Sequence, residues 1–145
     1  MKKIIIITLL FFITYIYAYK KKHLQIFRYS AKKRYNWQKK NPNTKLDLSN
    51  IYLNRLPFIG HFKNFNFQNA KIIKCGIWLA YFKNCDFSEA TIKETKINLP
   101  YTPIKRKKNR SVFYSVKFNN ARIIDCKNFT NADYIKVDFS GADII

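Results

Sequence analysis

From Phe65 to Ile97 the chain advances in steps of five: FNFQN-AKIIK-CGIWL-AYFKN-CDFSE-ATIKE-TKI. A small residue (Ala70, Cys75, Ala80, Cys85, Ala90, Thr95) comes two places before a large apolar one (Ile72, Ile77, Phe82, Phe87, Ile92, Ile97). The pattern resumes at SVFYS-VKFNN-ARIID, with Phe118 and Ile123 at the large phase, and closes at KNFTN-ADYIK-VDFSG-ADII with Phe129, Tyr134, Phe139 and Ile144. A period of five fits neither the 3.6 residues of an α-helix nor the two of a strand, and self-similarity at fixed spacing is the mark of a solenoid. An earlier stretch, LDLSN-IYLNR-LPFIG, follows the same rule through Leu48, Leu53 and Phe58. It then slips by one residue to Phe62 and Phe67, and a second slip follows Cys126.

The best-formed units are Cys85-Asp86-Phe87-Ser88-Glu89, Ala132-Asp133-Tyr134, Val137-Asp138-Phe139-Ser140-Gly141 and Ala142-Asp143-Ile144. They resemble the pentapeptide-repeat family, whose units read Ala-(Asp/Asn)-(Leu/Phe)-x-x, over about 46–97 and 111–145. The resemblance implies an all-β fold: a right-handed quadrilateral β-helix of about four coils, one pentad per side, with the large and small phases pointing inward. At the strand spacing of about 4.8 Å such a rod is about 20 Å long, and stacking of neighbouring coils supplies the stability that no single coil has. A β-sandwich would leave the recurrence of Ala and Cys at one phase of five unexplained. Many positions before the large residue carry Lys, Tyr or Arg where the family favours Asp or Asn.

The formal charge is +20, but it is unevenly spread. Twelve of the 28 basic residues fall within 1–45, where no acid occurs, and five more crowd Lys105, Arg106, Lys107, Lys108 and Arg110. The repeats themselves hold 11 bases and 8 acids, a net of +3. A positive field of this kind attracts nucleic acid or anionic lipid without specifying either. Abundant Lys, Ile, Asn, Tyr and Phe also fits the codon drift of an AT-rich genome, which calls for no partner.

Residues 1–22 read as a membrane anchor or signal segment. Ile4, Ile5, Ile6, Ile7, Leu9, Leu10, Phe11, Phe12, Ile13 and Ile16 lie in a charge-free run of 16 residues flanked by lysines. As a helix it would span about 24 Å, with snorkelling lysines and interfacial tyrosines covering the shortfall against the hydrocarbon core. Cleavage after Ala18 is disfavoured, since Ile16 spoils the small-x-small pattern and three lysines follow. More bases follow the segment than precede it, so a single-pass anchor would leave the repeats cytoplasmic; cleavage would make the protein periplasmic or secreted. Residues 23–45 read as a basic linker, in which Leu24, Phe27 and Ala31 suggest a short interfacial helix. Tyr35 and Trp37 within it suit lipid headgroups better than nucleobases.

Residues 46–145 form the repeat domain, interrupted at 98–110 (NLPYTPIKRKKNR) by Pro100 and Pro103, which mark a protruding basic loop. Trp78, Leu79 and Tyr81 fall at outward phases although apolar, so with Lys105, Arg106, Lys107, Lys108 and Arg110 they form the candidate partner surface. The linker, a partner or the bilayer would cover that patch. The final coil would present its ladder to a second copy, a homodimer that the resemblance also suggests. Cys75, Cys85 and Cys126 sit at the small inward phase as packing residues, and their spacing suits neither zinc nor a disulfide framework. No nucleophile–base set, phosphate loop or carboxylate pair can be assembled, so no enzyme activity, cofactor or metal is expected. The resemblance brings to mind DNA mimicry toward topoisomerases, but that needs an acidic rod. The reading that remains is a membrane-tethered, non-enzymatic scaffold for a protein or anionic lipid. The alternatives are a nucleic-acid-binding module using the linker and loop, and a secreted effector-like repeat protein.

Overall fold

The computed structural model describes residues 20–97 and 110–145. The anchor residues 4–16 lie outside them. Twelve short strands carry the repeats: β1 (Leu46–Asp47), β2 (Tyr52–Asn54), β3 (Pro57–Lys63), β4 (Phe65–Asn66), β5 (Lys71–Ile73), β6 (Gly76–Lys83), β7 (Thr91–Lys93), β8 (Lys96–Ile97), β9 (Val112–Tyr114), β10 (Arg122–Ile124), β11 (Asp133–Ile135) and β12 (Asp143–Ile144). Their ladders are parallel and join residues about one coil apart, which makes a four-sided β-solenoid. Face 1 joins β1 to β4 and continues through single bridges Asn66–Asp86, Asp86–Lys117 and Lys117–Asp138. Face 2 is the ladder β2-β5-β7-β10-β12. Face 3 contains the first halves of β3 and β6, then β8 and Lys127; face 4 contains their second halves, then β9 and β11.

The pentad has a backbone cause. Two residues after the large one, the chain turns the corner in the left-handed region: Asn50, Arg55, Asn69, Lys74, Leu79, Asn84, Glu89, Glu94, Asn120 and Asp125 all have φ between 49 and 60°. Asn and Asp tolerate that conformation best, which accounts for the recurring Asn before the next small residue. The side chain just before the large residue serves the same turn on face 1. Asp47, Asp86 and Asp138 each accept the amide of the serine two places on, at 2.9 Å.

Inside the tube the large residues stack in register. Phe62, Phe82, Phe113 and Tyr134 form one column, with ring centroids 5.0, 4.8 and 5.1 Å apart. Phe67, Phe87, Phe118 and Phe139 form another, at 4.7, 5.1 and 5.0 Å. Ile72, Ile92 and Ile123 line face 2, and Ile77 and Ile97 line face 3, all buried. The small phase knits coils together: the Cys75 Sγ donates to the Leu53 carbonyl one coil back (3.6 Å), and Cys85 does the same to Phe62 (3.3 Å). Two expected ladder positions differ. Ile144 is on β12 beside Ile123 yet 55 % exposed, because no described strand lies beyond it. Phe129 leaves the ladder phase: Lys127 pairs with Lys96, the extra residue becomes a 3-10 turn (Phe129–Asn131), and its ring fills the last coil from the turn, 5.2 Å from Tyr134.

Residues 23–45, expected as a linker, instead close the first coil. Residues 20–27 are helical (α1) and α2 spans Ala31–Lys40. The Leu24, Phe27 and Ala31 stripe faces the solenoid rather than lipid. Phe27 is buried over Phe58, Phe62, Phe65 and Phe67, and Ala31 sits against Gly60, where an added Cβ would approach to 2.6 Å. Polar side chains of both helices pair with the otherwise open strand edge. Lys20 donates to the Ser49 carbonyl (2.9 Å), Arg34 to those of Ile59 and His61, and Gln38 to that of Lys63 (3.0 Å), while His23 Nδ1 accepts the Asp47 amide (2.8 Å). Arg34 also lies 3.9 Å above the Phe62 ring. An unpaired edge is both a stability cost and an aggregation site, and these helices cover it around β1 and β3.

Replacing Phe87 by Ala is expected to cost about 3–5 kcal/mol in denaturant unfolding, whereas Tyr52→Ala on the exposed face should stay within about 0.5 kcal/mol. Burial lowers the His23 pKa below its ordinary 6.5, outweighing nearby Asp47. The unfolded chain therefore binds more protons than the folded one below that value. Stability should be full above pH 6.5 and fall as pH drops from 6.5 through the folded pKa. Melting temperatures measured across this window should lose that component in His23→Gln.

Candidate functional site

Three of the four corners keep five residues between successive ladder positions in every described coil. The corner between faces 3 and 4 does not. In the first coil it is one residue short, and the β3–β6 register shifts there, between Ile59 and Gly60, so that Leu79 has no partner. In the third it receives residues 98–109, which lie outside the described residues but depart after Ile97 and return at Arg110. In the fourth it holds the 3-10 turn. Both slips visible in the sequence and the proline-marked insertion thus fall on one edge of the rod.

The apolar residues singled out from sequence line the same corner. Leu79 is 55 % exposed at φ 49°, a conformation poorly suited to a bulky side chain. Trp78 is half-buried with its ring laid over Gly76, where a Cβ would fall 2.6 Å from the indole. Tyr81 is half-buried against His61 (5.5 Å), which in turn meets Tyr35 of α2 (5.0 Å). The segment around α2 therefore covers the Tyr81 side of the patch and leaves Leu79 and Ile59 open. Of the basic loop, Lys105, Arg106, Lys107 and Lys108 lie outside the described residues; Arg110 pairs with Asp133 at 3.5 Å.

Charge is segregated in the same sense. Of the eight acidic residues, Asp133 alone is on faces 3 and 4; the rest belong to faces 1 and 2 or the corners that bound face 2. Faces 3 and 4 carry Lys63, Lys83, Lys96, Lys127 and Lys136 among the described residues. A groove of about 290 Å³ between α2 and face 4 is lined by Tyr35, Lys39, His61, Tyr81 and Lys83. The near-neutral rod read from sequence is a balanced half joined to a basic half. No signal in the sequence could show this, because assigning a residue to a face requires the register after each slip.

Burial raises the thiol pKa of Cys75 and Cys126, and that of Cys85 to about 12, so all three stay protonated at neutral pH and pack rather than react. Among the described residues no group of three or more His, Cys, Asp or Glu is placed to hold a metal ion, and no helix is long and apolar enough to cross a membrane.

With one pentad per side and parallel coils, the chain is a β-solenoid of the kind built by pentapeptide-repeat proteins. Among solved structures it is similar to HetL, a pentapeptide repeat protein involved in heterocyst differentiation regulation in the cyanobacterium Nostoc. That match has 8 % identity and a TM-score of 0.42, and covers 67 % of this chain and 46 % of that one. It is also similar to a pentapeptide repeat protein of the Arabidopsis thaliana thylakoid lumen, with 20 % identity and a TM-score of 0.28 over 67 % of this chain and 60 % of that one. The chain thus spans about half the length of these proteins. No family sequence model and no curated protein matches it.

Leu79→Asn should raise stability by about 0.5–1 kcal/mol, since Asn adopts the left-handed corner more readily and the Leu79 side chain is more than half exposed. Denaturant midpoints of the two proteins check this.

Proposed function

We propose that the protein is a non-enzymatic repeat scaffold, held at a membrane by its apolar amino-terminal segment and presenting the corner between faces 3 and 4 to a protein or an anionic lipid. The observation that carries the reading is the coincidence, on one edge of a rigid rod, of every length irregularity, the exposed Leu79 and the one-sided lysines. Binding surfaces are commonly irregular loops mounted on a regular frame. The capping role of α1 and α2 supports a compact domain that begins directly after the apolar run. The charge-free residues 4–19 between lysines support the tether. Self-association through the last coil belongs to the same proposal, supported by the exposure of Ile144 and Ile145.

Fractionation of the full chain against a version starting at Lys20 tests the tether. A truncation at Lys45 would not serve, because it removes the cap along with the anchor. The full chain is expected in the membrane pellet, resistant to high salt, and the Lys20 version in the supernatant. Recovery of both in the supernatant would end the tethering proposal.

A further inference from the structure

We infer that the corner between faces 3 and 4 docks an acidic protein segment bearing apolar anchors, with Leu79 as the central contact and the lysines of the two flanking faces, Lys83 and Lys127 among them, as the charged rim. This rests on the reading of that corner as a binding surface and names the partner's chemistry.

Three observations choose among anionic partners. First, the corner mixes charge with aliphatic tips. Leu79 and Ile59 are 55 % and 41 % exposed, and Trp78 and Tyr81 lie beside them. Phosphates gain nothing from an exposed Leu or Ile, whereas protein interfaces favour an apolar centre with aromatic residues and a polar rim. Second, the chain approaches the fold at the far side. Lys20 is bonded to Ser49 and His23 to Asp47, both on face 1, and α1 crosses the open coil from there to Ala31 at Gly60. The chain therefore enters the rod away from the basic corner, and α1 leaves that corner uncovered. Third, Leu79 occupies a position that favours Asn or Gly on backbone grounds (φ 49°) and a polar residue on exposure grounds. Both local preferences are violated at one residue, at the centre of the irregular edge.

The charge pattern sets the partner's sign. Lys63 and Lys83 are cross-strand neighbours on face 4, as Lys96 and Lys127 are on face 3, and no acid lies between the members of either pair. Like charges in adjacent positions repel, and an acidic partner relieves both pairs at once.

The test uses the full chain and fluorescence anisotropy with four probes: a labelled peptide of alternating acidic and apolar residues, poly-glutamate, oligo-dT and phosphatidylserine vesicles. The amphipathic acidic peptide should bind more tightly than poly-glutamate and oligo-dT, and any vesicle binding should run through the amino-terminal segment and survive Lys83→Glu. Leu79→Asn and Lys83→Glu should each weaken it about tenfold, the scale of one hot-spot side chain, while Lys71→Glu on face 2 leaves it unchanged. The denaturant midpoint of Leu79→Asn, measured alongside, separates a binding effect from unfolding. Equal binding of wild type and Leu79→Asn, or equal loss with Lys71→Glu and Lys83→Glu, would overturn the inference. Preference for oligo-dT or vesicles, lost in Lys83→Glu, would overturn the partner class while leaving the corner as a binding surface. Loss of the peptide preference overturns this inference whether or not the full chain pellets with membranes.

Discussion

The cross-section of the tube is the constraint from which the rest follows. Each face offers room for one large and one small inward side chain, and the left-handed residue at each corner sets the next face at an angle. The two aromatic columns keep spacings of 4.7 to 5.1 Å because the parallel strands beneath them repeat at the backbone spacing. A residue added inside a face would turn a polar side chain into that column. Extra residues are therefore tolerated at corners, and in this chain at one corner. Irregularity, charge and apolar exposure share an edge because it is where the fold can accommodate them.

Part of the basicity near the amino terminus has a structural use. Lys20 and Arg34 donate to carbonyls of the first coil, and Gln38 and His23 complete the row. Arg34 is buried, and its pKa falls to about 10 through burial, so it remains charged at neutral pH while serving the carbonyls of Phe27, Tyr29, Ile59 and His61. A charge count alone would assign these residues to an external partner. Their geometry assigns these two charges to the rod itself.

The repeat, its two phases and its breaks at Phe58–Phe62, 98–110 and Cys126 were all legible, since side-chain size is written directly in sequence. The cap was not. Its apolar stripe is short, Leu24, Phe27 and Ala31, and a helix break at 28–30 splits it between two elements. Its polar contacts are to backbone carbonyls, which leave no pairing signal among side chains. The sequence pattern places Phe129 on the ladder because a slip can be absorbed before or after the large residue, and only the bridge between Lys96 and Lys127 decides. The recurring Asn two places after the large residue was a readable sign of left-handed corners. At Leu79 the same rule marks the departure that matters most for the candidate site.

The most direct measurement of the central claim is the proximity of Thr91 and Arg122, neighbours in the β7–β10 ladder although residues 98–109 intervene. Nitroxides placed at cysteines introduced there should show strong spin–spin broadening, because adjacent coils are about 4.8 Å apart. The buried Cys75 and Cys85 should stay unlabelled, and the half-buried Cys126 is replaced by Ala in the labelled protein. Spectra equal to the sum of the two single-labelled proteins would mean that the pentads before and after the insertion do not stack in one tube.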